Sequence, residues 1–127
     1  MNLRPATMDD AETLLAWRND PLTRAMSQSL AIVELSSHLA WMDQRLSRVD
    51  PGLYIAEDGE ELVGTVRIDG DEISYTVAPE HRGKGVSTVM LVEARQKFGS
   101  KRARIKRDNL ASRRAAENAG HSVVLID

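Results

Sequence analysis

Hydrophobic and polar positions along the chain follow two different periods, and the changes between them predict ten elements. Short or alternating apolar runs predict strands at residues 3–6, 53–56, 62–68, 73–77, 102–106 and 122–126. Apolar residues that recur every three or four positions predict helices at residues 8–18, 35–49, 86–98 and 110–119. The predicted order is β-α-α-β-β-β-α-β-α-β, an α/β (α+β) arrangement with one central, mostly antiparallel sheet of about six strands and four helices.

Turn and capping residues mark the ends of these elements. Thr7 and Asp10 have the spacing of a capping box, in which each side chain accepts a hydrogen bond from a backbone N–H at the start of a helix. The Asp-Gly pair at residues 58–59 predicts a tight hairpin turn. Gly99 and Gly120 predict the ends of the last two helices.

The most informative stretch is the strand, turn and helix at residues 72–98. Pro79 ends the strand because it has no N–H to donate to a ladder. Arg-Gly-Lys-Gly at residues 82–85 then turns the chain with two glycines that are free to adopt positive φ. The first turn of the following helix has unpaired N–H groups and a partial positive charge, which suit a phosphate. A glycine-rich turn that binds nothing is the alternative, and glycine pairs alone do not decide between the two.

The turn does not fit the common nucleotide-binding loops. Gly-x-x-x-x-Gly-Lys-Ser/Thr does not occur, and Thr88 occupies the position of the third glycine in Gly-x-Gly-x-x-Gly. The stretch instead resembles the signature of the GNAT acetyltransferase superfamily, Arg/Gln-x-x-Gly-x-Gly/Ala, which follows a strand and opens a helix. Arg82, Gly85 and Ser87 occupy its defined positions. Ser87 departs from the usual Gly or Ala, but serine is small, so we expect the phosphate site to be retained.

A second match strengthens the resemblance. Asn109 and Ser112, with Ala119 and Gly120, resemble the family's Asn-x-x-Ser/Ala helix that ends in Ala/Leu-Gly-Phe. The resemblance implies the GNAT fold and the cofactor acetyl-CoA (coenzyme A), with the pyrophosphate on the backbone N–H groups of residues 83–87 and the N–H of Val77 or Ala78 polarising the thioester carbonyl. The implied cofactor-binding residues are Val77, Ala78, Arg82, Gly83, Lys84, Gly85, Val86, Ser87, Asn109 and Ser112.

The end of the first predicted helix points to one branch of the family. Trp-Arg-Asn-Asp-Pro at residues 17–21 resembles the branch that contains ribosomal-protein and nucleotide-amino-sugar N-acetyltransferases. In that branch the following loop, here residues 22–31, reaches toward the acceptor. The implied acceptor-binding residues are Arg24, Met26, Ser27 and Gln28. Trp17 itself is expected to be a core residue.

Acetyl transfer to a primary amine needs a general base, because such an amine is protonated at neutral pH. The strand before the glycine turn supplies the catalytic candidates Glu72, Ser74 and Tyr75, although a carboxylate at position 72 also suits a solvent-facing strand residue. The family commonly has a tyrosine seven residues after the asparagine, which protonates the leaving thiolate. Here that position is Ala116, and Tyr75 is a candidate for the same task.

Composition narrows the remaining possibilities. The chain of 127 residues is long enough for a single domain over residues 1–127. It has no cysteine, and its three histidines lack the spacing of metal ligands, so no metal is expected. No apolar run approaches a membrane span, and the first residues do not resemble a signal peptide, which predicts a cytoplasmic protein without a membrane partner.

Positive charge is concentrated in one stretch. Nine of the 17 basic residues lie between residues 95 and 114, where Asp108 is the one acidic residue. Such a stretch suits nucleic acid or a polyanionic ligand such as coenzyme A. It has no interleaved aromatic residues, and the chain as a whole has a net charge of −2. Both observations argue against nucleic acid as a partner.

These observations predict an N-acetyltransferase that acts on a small-molecule amine, such as a nucleotide-linked amino sugar. The alternatives are a protein N-terminal or lysine acetyltransferase and a coenzyme A-binding module that no longer catalyses, which Ala116 would favour. The last strand, residues 122–126, leaves an apolar sheet edge where the family usually has two strands. A second subunit is expected to cover this edge, which predicts a homodimer.

Overall fold

The computed structural model describes residues 1–27 and 30–127, which form six strands and five α-helices. The strands are β1 (Asn2–Pro5), β2 (Leu53–Asp58), β3 (Glu61–Asp69), β4 (Glu72–Val77), β5 (Arg102–Lys106) and β6 (Ser122–Ile126). The helices are α1 (Ala11–Asn19), α2 (Pro21–Met26), α3 (Leu35–Leu46), α4 (Val86–Phe98) and α5 (Leu110–Asn118). All ten predicted elements are therefore present, and α2 is additional.

The six strands form one sheet in sequential order, from β1 at one edge to β6 at the other. β1, β2, β3 and β4 pair antiparallel, whereas β4–β5 and β5–β6 are parallel pairs. α4 and α5 provide the long crossover connections that parallel neighbours need. This confirms the α/β fold class and the mostly antiparallel sheet, and it corrects the number of helices from four to five.

The additional helix α2 lies where the sequence analysis expects an acceptor loop. The Asp20 carboxylate accepts a hydrogen bond from the Thr23 N–H at 3.1 Å, and Pro21 occupies the first helical position. A capping carboxylate followed by proline is an ordinary helix start. The prediction of a loop from residue 22 is therefore wrong as far as Met26, because the Asp-Pro pair both ends α1 and begins α2.

The sheet separates two apolar cores. On one face, α4 and α5 contribute Met90, Leu91 and Ala115 to a core with strand residues such as Val66. On the other face, α1 and α3 pack over β2, where the core includes Trp17, Met42 and Ile55. Trp17 is buried, as predicted. Because side chains alternate along a strand, residues 65 and 67 of β3 lie on the α1–α3 face, and so do residues 74 and 76 of β4.

Helix α3 is rotated relative to the apolar face that its periodicity predicts. Leu35 and Leu39 are exposed, whereas His38, Met42 and Arg45 are buried. The Arg45 guanidinium donates to the Asp69 carboxylate at 2.8 Å and to a backbone carbonyl of β3 at 3.0 Å. Because a buried charge is tolerated when it is paired and hydrogen-bonded, these contacts fix the helix with an arginine facing the sheet.

Candidate functional site

Strands β4 and β5 are neighbours that separate after one pairing position. Glu72 lies opposite Arg102, and the Arg102 N–H donates to the Asp71 carbonyl at 2.7 Å. Within the described residues, no other register position joins the two strands. Beyond this point the sheet opens into a gap between the C-terminal halves of β4 and β5.

Backbone N–H groups of β4 face this gap. The Ala78 N–H donates to the Val63 carbonyl at 2.8 Å, on the β3 side of the strand. Because an antiparallel strand bonds alternately to its two sides, the Val77 N–H points the other way, toward β5. Of the two implied donors, Val77 and Ala78, the Ala78 N–H already has an acceptor, which leaves the Val77 N–H for the thioester carbonyl.

A cleft of about 1150 Å³ runs through the gap. The glycine turn and the start of α4 line one end, and residues of α1, α2 and α3, including Trp17 and Trp41, line the other. Pockets for a single small ligand measure roughly 300–1,000 Å³. The cleft is therefore somewhat larger than a pocket for one small ligand.

The glycine turn has the geometry of an anion site. Gly83 and Gly85 adopt φ of +74° and +75°, which confirms the predicted positive φ at both positions. Gly85 immediately precedes α4, so the N–H groups of Val86 and Ser87 lie in the first helical turn, where no intrahelical acceptor is available. A Cβ on either glycine would meet no protein atom within 4 Å. The space in front of these donors is therefore open to a phosphate.

Arg82 lines the cleft beside the glycine turn and forms a contact that the sequence did not predict. Its guanidinium forms an ion pair with the Asp20 carboxylate and donates to the Thr23 hydroxyl at 2.9 Å. The hydrogen bond that Arg82 donates lowers the pKa of Asp20 below its usual range. Arg82 therefore joins the glycine turn to the start of α2, and its charge is neutralised there instead of being available to a phosphate.

The predicted acceptor-binding residues divide into three groups. Met26 and Ser27 line the cleft. Arg24 does not line it, because its guanidinium donates to the carbonyls of Asn19 at 3.1 Å and Leu30 at 3.3 Å and so holds the segment after α2 against α1. The prediction that Arg24 contacts the acceptor is therefore not supported. Gln28 lies outside the described residues.

Tyr75, Asn109 and Ser112 come together where β4 faces α5. The Tyr75 hydroxyl donates to the Ser112 carbonyl at 2.7 Å, and burial raises the pKa of this phenol. The Asn109 side chain caps α5 by accepting a hydrogen bond from the Ser112 N–H at 3.3 Å. Ala116, one turn further along α5, is fully buried. The three polar residues line the cleft, and Tyr75 packs against the core cluster that contains Ala116.

Glu72 is not part of this arrangement. It lies at the closed end of the β4–β5 pair, opposite Arg102 on one side and Asp69 on the other, and it is not among the residues that line the cleft. Five residues of extended strand, about 16 Å at 3.3 Å per residue, separate it from Val77. The geometry therefore does not support the prediction that Glu72 acts as the base.

The titratable bases that line the described part of the cleft are two histidines and not the expected carboxylate. The described residues that line the cleft include His38 and His81 but neither aspartate nor glutamate. His38 Nε2 donates to the Ala11 carbonyl at 3.0 Å, and burial lowers the pKa of its ring. The His81 side chain is 15% exposed, and its Nε2 lies 3.6 Å from the Glu61 carboxylate. Of the two rings, His81 is the more accessible from the cleft.

Three arginines that were not among the predicted site residues lie in the cleft. Arg18 of α1, Arg67 of β3 and Arg104 of β5 all line it. Arg67 carries a detectable signal, because a charged residue in the middle of a strand that is paired on both sides is costly unless a partner or a ligand meets it. Arg104 belongs to the basic stretch, which the sequence analysis considers as a whole and not strand by strand.

Within residues 1–27 and 30–127, no three His, Cys, Asp or Glu side chains are grouped as metal ligands would be. None of the helices in the same ranges is long and apolar enough to cross a membrane.

Comparison with known proteins identifies the family to which the chain is similar and the fold that it shares. The family of the acetyltransferase (GNAT) domain matches residues 1–122. A comparison with curated proteins finds no match.

Solved structures resemble nearly the whole chain. A putative acetyltransferase from Salmonella typhimurium, yncA, determined with its cofactor acetyl-CoA, is 25% identical with a TM-score of 0.71 over 94% of this chain and 78% of that one. Ribosomal-protein-alanine N-acetyltransferase from Brucella melitensis is 26% identical with a TM-score of 0.71 over 94% and 83%. Aminoglycoside acetyltransferase AAC(6')-Ib in complex with coenzyme A is 20% identical, and it shares the fold with a TM-score of 0.73 over 94% and 82%.

Proposed function

Because the chain belongs to the GNAT acetyltransferase family, we propose that it transfers the acetyl group of acetyl-CoA to the primary amine of a small molecule, such as a nucleotide-linked amino sugar. Family membership makes the protein an acyltransferase. The observation that carries the proposal is the cleft that joins the glycine turn to the α1–α3 side of the sheet through the gap between β4 and β5. A donor and an acceptor in its two ends would meet in the gap.

The glycine turn is the part of the chain that would hold the donor's pyrophosphate. The N–H groups of Val86 and Ser87 supply hydrogen-bond donors at the positive end of α4. Gly83 and Gly85 allow close approach, and the exposed Lys84 between them adds positive charge. Arg82 is left out of the set because Asp20 neutralises it.

Acetyl-CoA supplies an activated thioester: the amine nitrogen bonds to the acetyl carbon, the carbon–sulfur bond breaks, the nitrogen loses a proton and the sulfur gains one. The Val77 N–H, which faces the gap, would stabilise the negative charge that develops on the thioester oxygen. We assign His81 as the group that accepts the proton of the amine, because an imidazole nitrogen can act as a general base and this ring is the accessible one in the cleft.

We assign Tyr75 as the residue that donates a proton to the leaving sulfur. Its hydroxyl lies at the Ser112 carbonyl, one helical turn from Ala116, where the family commonly has its tyrosine. The Tyr75 ring therefore brings a phenol from β4 toward the place that a tyrosine on α5 would otherwise reach. This assignment favours an active enzyme over a module that binds coenzyme A without catalysis.

Protein N-terminal acetylation is the second candidate. It is favoured by the likeness to the Brucella melitensis ribosomal-protein-alanine N-acetyltransferase. A peptide acceptor would have to reach the same cleft end, which Met26 and Ser27 line.

The proposal is tested by thiol release from acetyl-CoA with the full chain and a panel of acceptors. Nucleotide-linked amino sugars, free amino sugars and short peptides are supplied in separate reactions, and products are identified by mass spectrometry. We expect thiol release that depends on the amino sugar, together with its N-acetyl product. Acetylation of peptides alone would favour the second candidate. Binding of acetyl-CoA without turnover of any amine would favour the non-catalytic module.

A homodimer through β6 is proposed separately. β6 forms an edge of the sheet, and its Val124 is 43% exposed. An apolar edge strand is a surface to which a second copy can pair. We expect sedimentation at high concentration to give the mass of two chains for the wild type. The Val124→Lys variant should give the mass of one chain. A single-chain mass for the wild type would contradict the proposal.

A further inference from the structure

The acceptor side of the cleft is crowded with positive charge. Arg67 and Ser74 are opposite one another on β3 and β4, on the face that α1 and α3 cover. Arg18 enters the cleft from α1, and Arg104 enters from β5 on the side away from the core residues Ala103 and Ile105. Three guanidinium groups from three elements thus line the cleft, Arg18 acts electrostatically on Arg67, and no Asp or Glu is among the described lining residues.

The carboxylate closest to Arg67 is shared among several arginines. Asp69 lies 3.5 Å from Arg67 Nε, but it also binds Arg45 at 2.8 Å and Arg48 at 3.4 Å. The Nε of Arg67 is buried and has no hydrogen-bond acceptor. Burial lowers the pKa of Arg67, and the guanidinium groups of Arg45, Arg18 and Arg48 lower it further against the opposing effect of Asp69. One carboxylate therefore balances three arginines around Arg67.

This positive charge is separate from the glycine turn. Arg67 lies on the α1–α3 face, whereas α4 packs on the opposite face through Met90. Three residues of extended strand, about 10 Å, separate Ser74 from Val77, which lies at the gap. Arg67 is therefore placed to meet the acceptor and not the phosphates of the donor.

We propose that the acceptor amine carries an anionic oxygen group, a carboxylate or a phosphate, which Arg67 binds together with Arg18 and Arg104. The inference rests on the proposed function, because it names the acceptor class for the same cleft. Guanidinium groups bind carboxylate and phosphate oxygens in a paired geometry, and such charged hydrogen bonds strengthen as water is excluded. The same charges disfavour polycationic amines at this end of the cleft.

The test compares acceptors that differ in the anionic group. Glucosamine is paired with glucosamine 1-phosphate, and phenylalaninamide is paired with phenylalanine, so that the phosphate and carboxylate sources are separated. We expect at least one anionic member to exceed its neutral partner in kcat/KM by about 30-fold, the order that one charged hydrogen-bonded contact supplies. In Arg67→Met the preference for the anionic acceptor should be lost because its KM rises, whereas kcat and the Kd of coenzyme A should change little. Arg67→Lys should retain part of this preference.

Arg48→Met is the matched control, since Arg48 also binds Asp69 but lies outside the cleft. It should leave the anionic preference intact. Equal use of charged and neutral acceptors, or an unchanged preference in Arg67→Met, would overturn the inference while leaving the proposed function standing.

Calorimetric titration of the same four probes in the presence of coenzyme A gives a readout that does not need turnover. Preferential binding of glucosamine 1-phosphate or phenylalanine that Arg67→Met abolishes, without acetylation, would support the anion site and refute the proposed function. No preference in binding or turnover would refute the anion site.

Discussion

Replacing Gly85 by aspartate is expected to weaken acetyl-CoA binding by at least about 100-fold. The new carboxylate would repel the diphosphate of acetyl-CoA and block the backbone N–H groups that the diphosphate would use. Gly85 has φ of +75°, and the space beyond its Cα is open. An aspartate there would fill that space with a carboxylate directly in front of α4. Calorimetric titration of acetyl-CoA into the wild type and the variant measures the effect.

Gly59→Asp is the matched control for this substitution. Gly59 has φ of +65°, also with no protein atom within 4 Å of an added Cβ, but it lies in the β2–β3 turn away from the cleft. Both variants carry the same cost of a side chain at positive φ, about 1 kcal/mol for an Asp. Equal melting temperatures with loss of binding in Gly85→Asp alone would support the phosphate site. Unimpaired binding in that variant would place the donor elsewhere.

Replacing Tyr75 by phenylalanine is expected to lower kcat about 100-fold, the small end of the range for a general acid. Two facts favour the small end. Burial raises the pKa of Tyr75, which makes it a weaker acid, and a thiol with a pKa of about 8.5 is already a good leaving group. Steady-state kinetics with saturating acetyl-CoA measures the change.

A purely structural role for the Tyr75 hydroxyl makes a different prediction. Loss of the hydrogen bond to the Ser112 carbonyl would reduce the free energy of unfolding by about 1 kcal/mol and leave kcat near its wild-type value. The two roles are separated by measuring kcat, the Kd of acetyl-CoA and the unfolding free energy of the same variant. An unchanged kcat would contradict the assignment of Tyr75 as the acid.

The strands and helices could be predicted because local signals encode them. The alternation of apolar and polar residues predicts β4, and the two glycines predict the turn before α4. The capping box at Thr7 and Asp10 is present as predicted. The start of α2 was also encoded in Asp20 and Pro21, but the same two residues equally indicate the end of a helix.

The parts of the site that could not be predicted depend on residues far apart in the chain. Arg82 pairs with Asp20 across 62 positions, and no local pattern shows that the two meet. The gap between β4 and β5 has no local signal either, since the alternation of β5 is the same whether the strand is paired or splayed. The cleft, and with it Arg67 as a lining residue, follows from this gap.

The single pairing position between β4 and β5 also has a consequence for how the protein opens. Backbone hydrogen bonds divide the sheet into β1–β4 and β5–β6, and side-chain packing against α4 and α5 joins the two parts. Such a boundary separates regions that can unfold independently. Amide protons of β5 and β6 should therefore exchange with solvent through openings that leave β1–β4 folded. A ligand that spans the gap binds the closed form alone, so it should slow this exchange as its concentration rises.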